Sequence, residues 1–475
     1  MNRQNYYSIL LFCLFACFSS QLKAQSCDFI PGMSQQARVQ CGLLEVPENH
    51  DNKAGRKIEI AYVVLKAKNE QSTAHPLIYF SGGPGGASIH PMIAQGRAQS
   101  SINQDHDIIM FDQRGIGYSS GLPNMEADFF SLMSQNADEA KEQSLMNDLI
   151  KKYKKMCDDE GIGLEHYNTF QNARDVGALM DHLGYEKYNI SGGSYGTRLA
   201  RVVQDMFPEK VNCSLLNSPN PLGDDFLIDR MESYSLALSR IFDYCEGSED
   251  CKKKYPNLKE EYIAAIKKLK QKPIIAKVKG EDFYVNAQDA VYLLRRLLYG
   301  NASREKAPEL IMAYKTGNTA PIEAVLANEI LFTNFYNSSM WLSVERYEAF
   351  HEENTPKKIA AVYKKMELLP ARLGIFTSAY TATMNHWHQS VLPVSERDFK
   401  QSAVPSLIMV NQYDPVTPPE NGHIFQKHLS NSYLYILDEG GHGGGNEDCR
   451  EKVMLEFMEN PKKEPNTSCL NLYKE

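Results

Sequence analysis

Apolar residues recur along this 475-residue chain in two rhythms, short runs of strand length and longer stripes of helical spacing. Gln40 to Val46 and Lys57 to Lys66 come first, the second alternating apolar with polar as in Ile58-Glu59-Ile60, and predict an antiparallel pair at a sheet edge. Pro76 to Phe80, Asp107 to Phe111, Lys187 to Ile190 and Val211 to Asn217 are short apolar runs that read as strands. Helical spacing over Asn172 to Leu183 and Arg198 to Phe207 flanks the third of these, and such β-α-β alternation builds a mostly parallel sheet with helices on both faces. From about Pro219 to Ser402 the rhythm changes to long helix-like segments at Phe226 to Tyr244, Leu258 to Leu269, Ala287 to Leu298 and Pro308 to Thr316. Strand spacing resumes at Val404 to Val410 and Tyr433 to Leu437, with a helix from Pro419 to His428 between them. The expected organisation is an α/β core formed by 25–218 and 403–475, with 219–402 inserted as a helical cap over the active site.

Composition narrows the class. A chain of this length with 43% hydrophobic residues can bury a large core, and its net charge of −8 gives nucleic acid no purchase. The lysine clusters at 151–155 and 252–254 sit in acidic, helix-like surroundings and read as solvated faces. Residues 1–24 predict an export segment: Arg3 opens it, Tyr7 to Phe18 is apolar, and Leu22-Lys23-Ala24 offers a cleavage site. Leu14-Phe15-Ala16-Cys17 loosely resembles a lipoprotein processing site that would place a lipid anchor on Cys17, but Phe15 fits that pattern poorly and the anchor is not the expected reading. No later stretch is apolar enough to span a bilayer, so the expected location is periplasmic or secreted.

Of ten cysteines, Cys13 and Cys17 fall in the export segment and eight lie beyond it, an even number that suits disulfides in an exported chain. Spacing suggests Cys27 with Cys41, Cys245 with Cys251 and Cys449 with Cys469, which leaves Cys157 with Cys213 by elimination. Metal binding is disfavoured, because the chain has neither a Cys-x-x-Cys pair nor a His-x-x-x-His cluster. Gly115-Ile116-Gly117 follows a strand but lacks the third glycine of a dinucleotide fingerprint, and no acidic residue follows at the expected place. No cofactor is expected.

The chemistry concentrates in Gly192-Gly193-Ser194-Tyr195-Gly196, between the strand ending at Ile190 and the helix that follows. A serine in Gly-x-Ser-x-Gly at such a turn sits on a strained elbow above a helix N-terminus, which marks Ser194 as a nucleophile. Its partners should follow in the order acid then histidine, each just after a strand. Asp414 follows Leu407 to Val410, and His442 follows Tyr433 to Leu437 in a loop flanked by Gly441 and Gly443. Asp438 and Glu439 are too close in sequence to His442 to reach its far ring nitrogen. The cluster Ser81-Gly82-Gly83-Pro84-Gly85-Gly86 ends another strand, where unobstructed backbone N–H groups can approach a reacting oxygen. Pro84 has no N–H, so Gly83, together with Tyr195, is the expected oxyanion donor. This set describes acyl transfer to water and does not by itself separate ester from amide.

Gly-Gly-Pro-Gly-Gly at 82–86, Asp-Gln-Arg-Gly-x-Gly-x-Ser at 112–119, Gly-Gly-Ser-Tyr-Gly at 192–196, Asp-Pro-Val-Thr-Pro-Pro at 414–419 and Gly-His-Gly at 441–443 together resemble the serine exopeptidases of the prolyl aminopeptidase and tripeptidyl aminopeptidase family. Cys245-x5-Cys251 followed by Tyr255-Pro256, and a tail with Cys449 and Cys469, resemble the tripeptidyl branch. The likeness covers nearly all of the mature chain. It implies an α/β-hydrolase fold with a helical cap and release of residues from free peptide N-termini. Ser81 stands where prolyl aminopeptidases often carry histidine, so strict proline specificity is not implied. Arg346 stands where the cap pattern Ser-Val-x-Cys-x-Glu would place cysteine. By that pattern Glu348, with Glu345, would bind the substrate amine, and Trp341 would wall the first side chain. An esterase or amidase for small acyl substrates is the competing reading, since the same groups serve both. A non-catalytic binding protein has no need of a complete Ser, Asp and His set.

Overall fold

The structure, a computed structural model, describes residues 27–33, 38–300, 303–333 and 335–474. The expected export segment, with Cys13 and Cys17, lies outside them. Among the described residues ten strands form: β1 (Val39–Pro47), β2 (Lys57–Leu65), β3 (Leu77–Phe80), β4 (Ile108–Phe111), β5 (Tyr188–Gly193), β6 (Val211–Asn217), β7 (Ile274–Val278), β8 (Glu281–Val285), β9 (Ser406–Asn411) and β10 (Ser432–Leu437). Eight make one sheet in the order β1-β2-β4-β3-β5-β6-β9-β10, and β7 pairs with β8 as a separate hairpin. The expected antiparallel pair holds the edge, with β1 on β2 in the register Val46 to Ile58, and β2 is also antiparallel to β4. Every other neighbour in the large sheet is parallel.

Because successive strand residues point to opposite faces, each central strand feeds two cores. Ile109 and Phe111 of β4 join the cluster on one face with Ile78, Ile190 and Ile408. Ile108 and Met110 join the cluster on the other face with Leu215, Leu407 and Phe457. A third cluster is built from the segment between β6 and β9 and from two earlier helices, Glu126–Met133 and Glu139–Asp159. That segment is mainly helical, as its spacing predicts, but it also contains the β7/β8 hairpin and the helices Thr319–Thr333, Ser338–Glu348, Pro356–Lys365 and Ile375–His386, which the periodicity did not single out. Among the described residues no helix is long and apolar enough to cross a membrane.

Three of the expected disulfides are present, Cys27–Cys41, Cys245–Cys251 and Cys449–Cys469. The fourth is not. Cys157 and Cys213 are free and buried, Cys157 in the third cluster and Cys213 on the sheet face opposite the first. Cys213 instead donates its thiol to Asn189 Oδ1 at 3.2 Å. Pairing by elimination fails because the two side chains belong to different cores.

Candidate active site

Four parallel strands, β3, β5, β9 and β10, release their chains at the same edge of the sheet, so the loops after them converge. The loop after β5 is the serine elbow. Ser194 has φ 55° and ψ −128°, a left-handed backbone that non-glycine residues rarely hold, and its N–H donates to Asn217 O at 3.0 Å. Thr197 clamps the turn, donating from N and from Oγ1 to Ser194 O at 2.8 and 2.6 Å. The flanking glycines are required by close approach: a Cβ on Gly192 would lie 2.2 Å from Gly196 O, and one on Gly196 would lie 2.2 Å from Phe80 O.

The loop after β3 brings Gly82 against the elbow, where an added Cβ would meet Ser194 Cβ at 3.0 Å and Ser194 Oγ at 3.5 Å. Gly83 follows with φ 121°. Tyr195 is the first residue of the helix Tyr195–Met206, so its N–H has no partner within the helix. The Asp112-Gln113-Arg114 motif braces this region from below. Asp112 Oδ1 accepts from the N–H groups of Ser88 and Ile89 at 2.7 and 2.9 Å, and Gln113 donates to Ser81 O at 3.2 Å. Arg114 makes a bidentate pair with Asp175 at 2.7 and 2.8 Å. Burial pushes the Asp112 carboxyl up to about 6 against the pull of its backbone donors.

The loops after β9 and β10 bring acid and histidine together. Asp414 is fully buried. It accepts from the N–H groups of Val416 and Thr417, both at 2.8 Å, and from Thr417 Oγ1 at 2.7 Å. His442 Nδ1 lies 2.9 and 3.0 Å from the two carboxylate oxygens. The histidine loop is pinned to the inserted segment: the N–H groups of Gly441, His442 and Gly443 donate to the carbonyls of Gly300, Leu298 and Tyr299 at 3.2, 3.3 and 3.0 Å. These carbonyls end the helix Ala287–Leu297 and the turn after it, so the segment between β6 and β9 fixes the backbone that carries His442. The Tyr299 ring packs edge-on to His442 with centroids 4.9 Å apart.

Ser194, Gly83 and His442 line one cavity of about 350 Å³, whose roof comes from the inserted segment. Phe226, Trp341 and Phe376 form an aromatic wall, with Trp341 5.6 Å from each of the others between centroids. Glu345 lines the cavity and Glu348 does not. The two share the helix Ser338–Glu348, but Glu348 is held inward. Thr169 donates to its two oxygens from N and Oγ1, each at 2.7 Å, and Arg198 Nη1 donates at 3.1 Å. Trp341 and Glu345, four residues apart, share the face turned to the cavity.

Arg198, on the elbow helix and fully buried, is the hub of this network. It reaches Glu345 at 3.3 Å, Glu348 at 3.1 Å, Asn220 at 2.6 Å and Asp224 at 2.5 Å, while Arg230 pairs with Asp224 at 3.2 Å. Two guanidiniums therefore face three carboxylates. Burial pushes the Glu345 carboxyl up to about 7, Arg198 pulling against it and Asp224 adding to it. Residues without a local motif complete the lining. Glu126 accepts from Ser338, and burial pushes its carboxyl up to about 7. Glu329 accepts from Tyr292 and from Arg296, both at 2.5 Å, and Arg295 also faces the space. Helical spacing marked Arg295 and Arg296 only as part of a helix, and nothing in the local sequence joins Glu126 to Glu329.

A mostly parallel sheet with a strained serine turn after its central strand β5 and an acid–histidine pair at the same edge defines an α/β-hydrolase architecture. The chain belongs to the alpha/beta hydrolase fold family, whose profile matches residues 75–445, and is a hydrolase by that membership. It is similar to the tripeptidyl aminopeptidase of Streptomyces coelicolor, 28% identical over 196 residues that cover 39% of this chain and 36% of that protein. It is also similar to the serine protease Hip1 of Mycobacterium tuberculosis, 26% identical over 185 residues, 37% of this chain and 35% of that protein. These matches span about a third of the length of those relatives. Among solved structures, proline iminopeptidase of Mycobacterium smegmatis aligns over 89% of this chain and 99% of its own, with 16% identity and a TM-score of 0.37.

Proposed function

We propose that the chain is an exported serine aminopeptidase that releases one or a few residues from free peptide N-termini. Ser194 Oγ attacks the scissile carbonyl while His442 Nε2 takes its proton, and Asp414 holds the imidazole with its proton on Nδ1. The N–H groups of Gly83 and Tyr195 receive the oxyanion. The imidazolium returns the proton to the leaving amine, and a water activated by His442 then releases the N-terminal fragment from Ser194.

The observation that carries the exopeptidase reading is the excess carboxylate at the cavity wall. Arg198 and Arg230 face three carboxylates, Asp224, Glu345 and Glu348, so that Glu345, the one of them that lines the cavity with Trp341, shares the Arg198 guanidinium with the other two. A substrate ammonium supplies the missing charge, and the amine role thus falls on Glu345, with Glu348 holding Arg198 behind it and Trp341 walling the first side chain. The three disulfides support an exported protein. The aromatic wall also suits small apolar acyl groups, which is the esterase or amidase reading. Rates on aminoacyl amides with a free amine, on their N-acetyl forms and on simple acyl esters separate the two. A preference for the free amine is expected, and fast ester cleavage with no response to the amine would favour the esterase.

A further inference from the structure

Among the described residues, Arg295 is the one cavity-lining guanidinium without an anion. Its neighbour Arg296 pairs with Glu329, and Arg230 pairs with Asp224. Arg295 is only 2% exposed, and its Nε and Nη1 are buried with no hydrogen-bond partner among the described residues. What holds it is aromatic: its guanidinium lies 5.4 Å from the Tyr299 ring centroid and 5.1 Å from that of Phe376. Ring faces attract a cation, but less than burial penalises one, so such a group is normally paired. Burial, with Arg230 and Arg296 nearby, works against its charge. Tyr299 in turn packs on His442, so the unpaired cation stands one ring away from the imidazole, in the cavity that Ser194 opens into.

We propose that Arg295 binds a carboxylate carried by the substrate, so that the cavity selects short peptides bearing an anionic group close to the scissile bond. The proposal rests on the peptidase reading for the nature of the ligand. An anion against Arg295 would satisfy one of its two orphaned donors, which lie on different edges of the guanidinium, and would pair its charge, as the ammonium does at Glu345. The planar guanidinium suits a carboxylate in particular, because its paired N–H groups match the two oxygens. Two sources have this chemistry, an acidic side chain near the N-terminus and the free C-terminal carboxylate of a short peptide.

The test compares short peptides that differ only in that group: Glu against Gln at each of the first three positions in one arm, and free against amidated C-termini in the other. In the parent enzyme the carboxylate form should be favoured by roughly 10- to 100-fold in kcat/KM in one of the arms, the range for a hydrogen bond to a charged group. In Arg295→Met that ratio should fall towards one, and Arg295→Lys should keep part of it. No preference in either arm of the parent, or a preference unchanged in Arg295→Met, overturns the proposal. Calorimetric binding of the same peptides to Ser194→Ala protein gives an answer independent of turnover. Tighter binding of the carboxylate forms there, with no cleavage by the parent, would sink the peptidase reading and uphold the anion site, whereas equal binding would overturn the site itself.

Discussion

Substitution Glu345→Gln separates recognition of the substrate amine from the chemistry at Ser194. Glutamine keeps the shape of the side chain and removes one negative charge from a wall where Arg198 and Arg230 face Asp224, Glu345 and Glu348. The side chain is 1% exposed, so an ammonium seated against it is screened by protein rather than by water. A charge-assisted hydrogen bond in such a place is worth about 1.5–3 kcal/mol, which predicts a loss of roughly 10- to 100-fold in kcat/KM on free-amine substrates. N-acetylated amides and esters offer no ammonium and should change little.

Stability should move the other way. The folded-state pKa of Glu345 is raised from 4.5 to about 7, so between these values the folded protein holds a proton that the unfolded chain has lost. Its contribution to stability is therefore fullest below about 4.5 and is lost as pH rises towards 7. Glutamine removes that slope, so Tm of the variant relative to the parent should be higher at pH 8 than at pH 5. In the parent, kcat/KM on free-amine substrates should fall faster than on N-acetyl substrates as pH is lowered through about 7, where Glu345 takes up its proton. Steady-state rates on matched free and acetylated amides, with melting curves at both pH values, check all three. An equal loss on both substrate types would show that Glu345 acts on the fold or on Ser194 and not on the amine.

Two further outcomes test the architecture. Denaturation without reductant should expose two alkylatable thiols among the eight cysteines from Cys27 onward, mapped to Cys157 and Cys213. Neither should react in the native protein, because burial pushes the Cys157 thiol up to about 12 and raises that of Cys213 as well. Gly196→Ala should lower stability by about 3 kcal/mol or more, since its Cβ would meet a backbone oxygen of β3 at 2.2 Å. Gly247→Ala, with nothing within 4 Å, should be neutral by the same denaturant titration.

The elbow could be read from the sequence because its requirements are local: a strand, glycines where backbones touch, a serine and a helix, all within a dozen residues. Asp414 and His442 were readable for a related reason, since parallel strands end at one edge and each residue follows a strand directly. The cavity wall was not readable. Glu126 and Ser338 come from separate helices, and Arg198 joins the elbow helix to Glu345 far along the chain, so only the packing of the third cluster brings them together. Whether Glu345 or Glu348 reaches the cavity depends on less than one helical turn and on Thr169, which captures Glu348 from outside the insertion. The hairpin β7/β8 was missed because Lys277, Glu281 and Asp282 make its exposed face as polar as a loop. Cysteine parity misled for a physical reason: burial protects a thiol as well as a bridge does.

Covalent labelling tests the central claim, that Ser194 is the nucleophile and His442 its base, most directly. A fluorophosphonate reacts with a serine hydroxyl only where a base activates it and donors accept the forming oxyanion. Intact-mass measurement of the native enzyme after labelling should show a single adduct, peptide mapping should place it on Ser194, and hydrolysis should stop as the adduct forms. Ser194→Ala should take no label, and His442→Ala should take it far more slowly. A stoichiometric adduct on another residue, or an enzyme that keeps its activity with Ser194 fully labelled, would contradict the account.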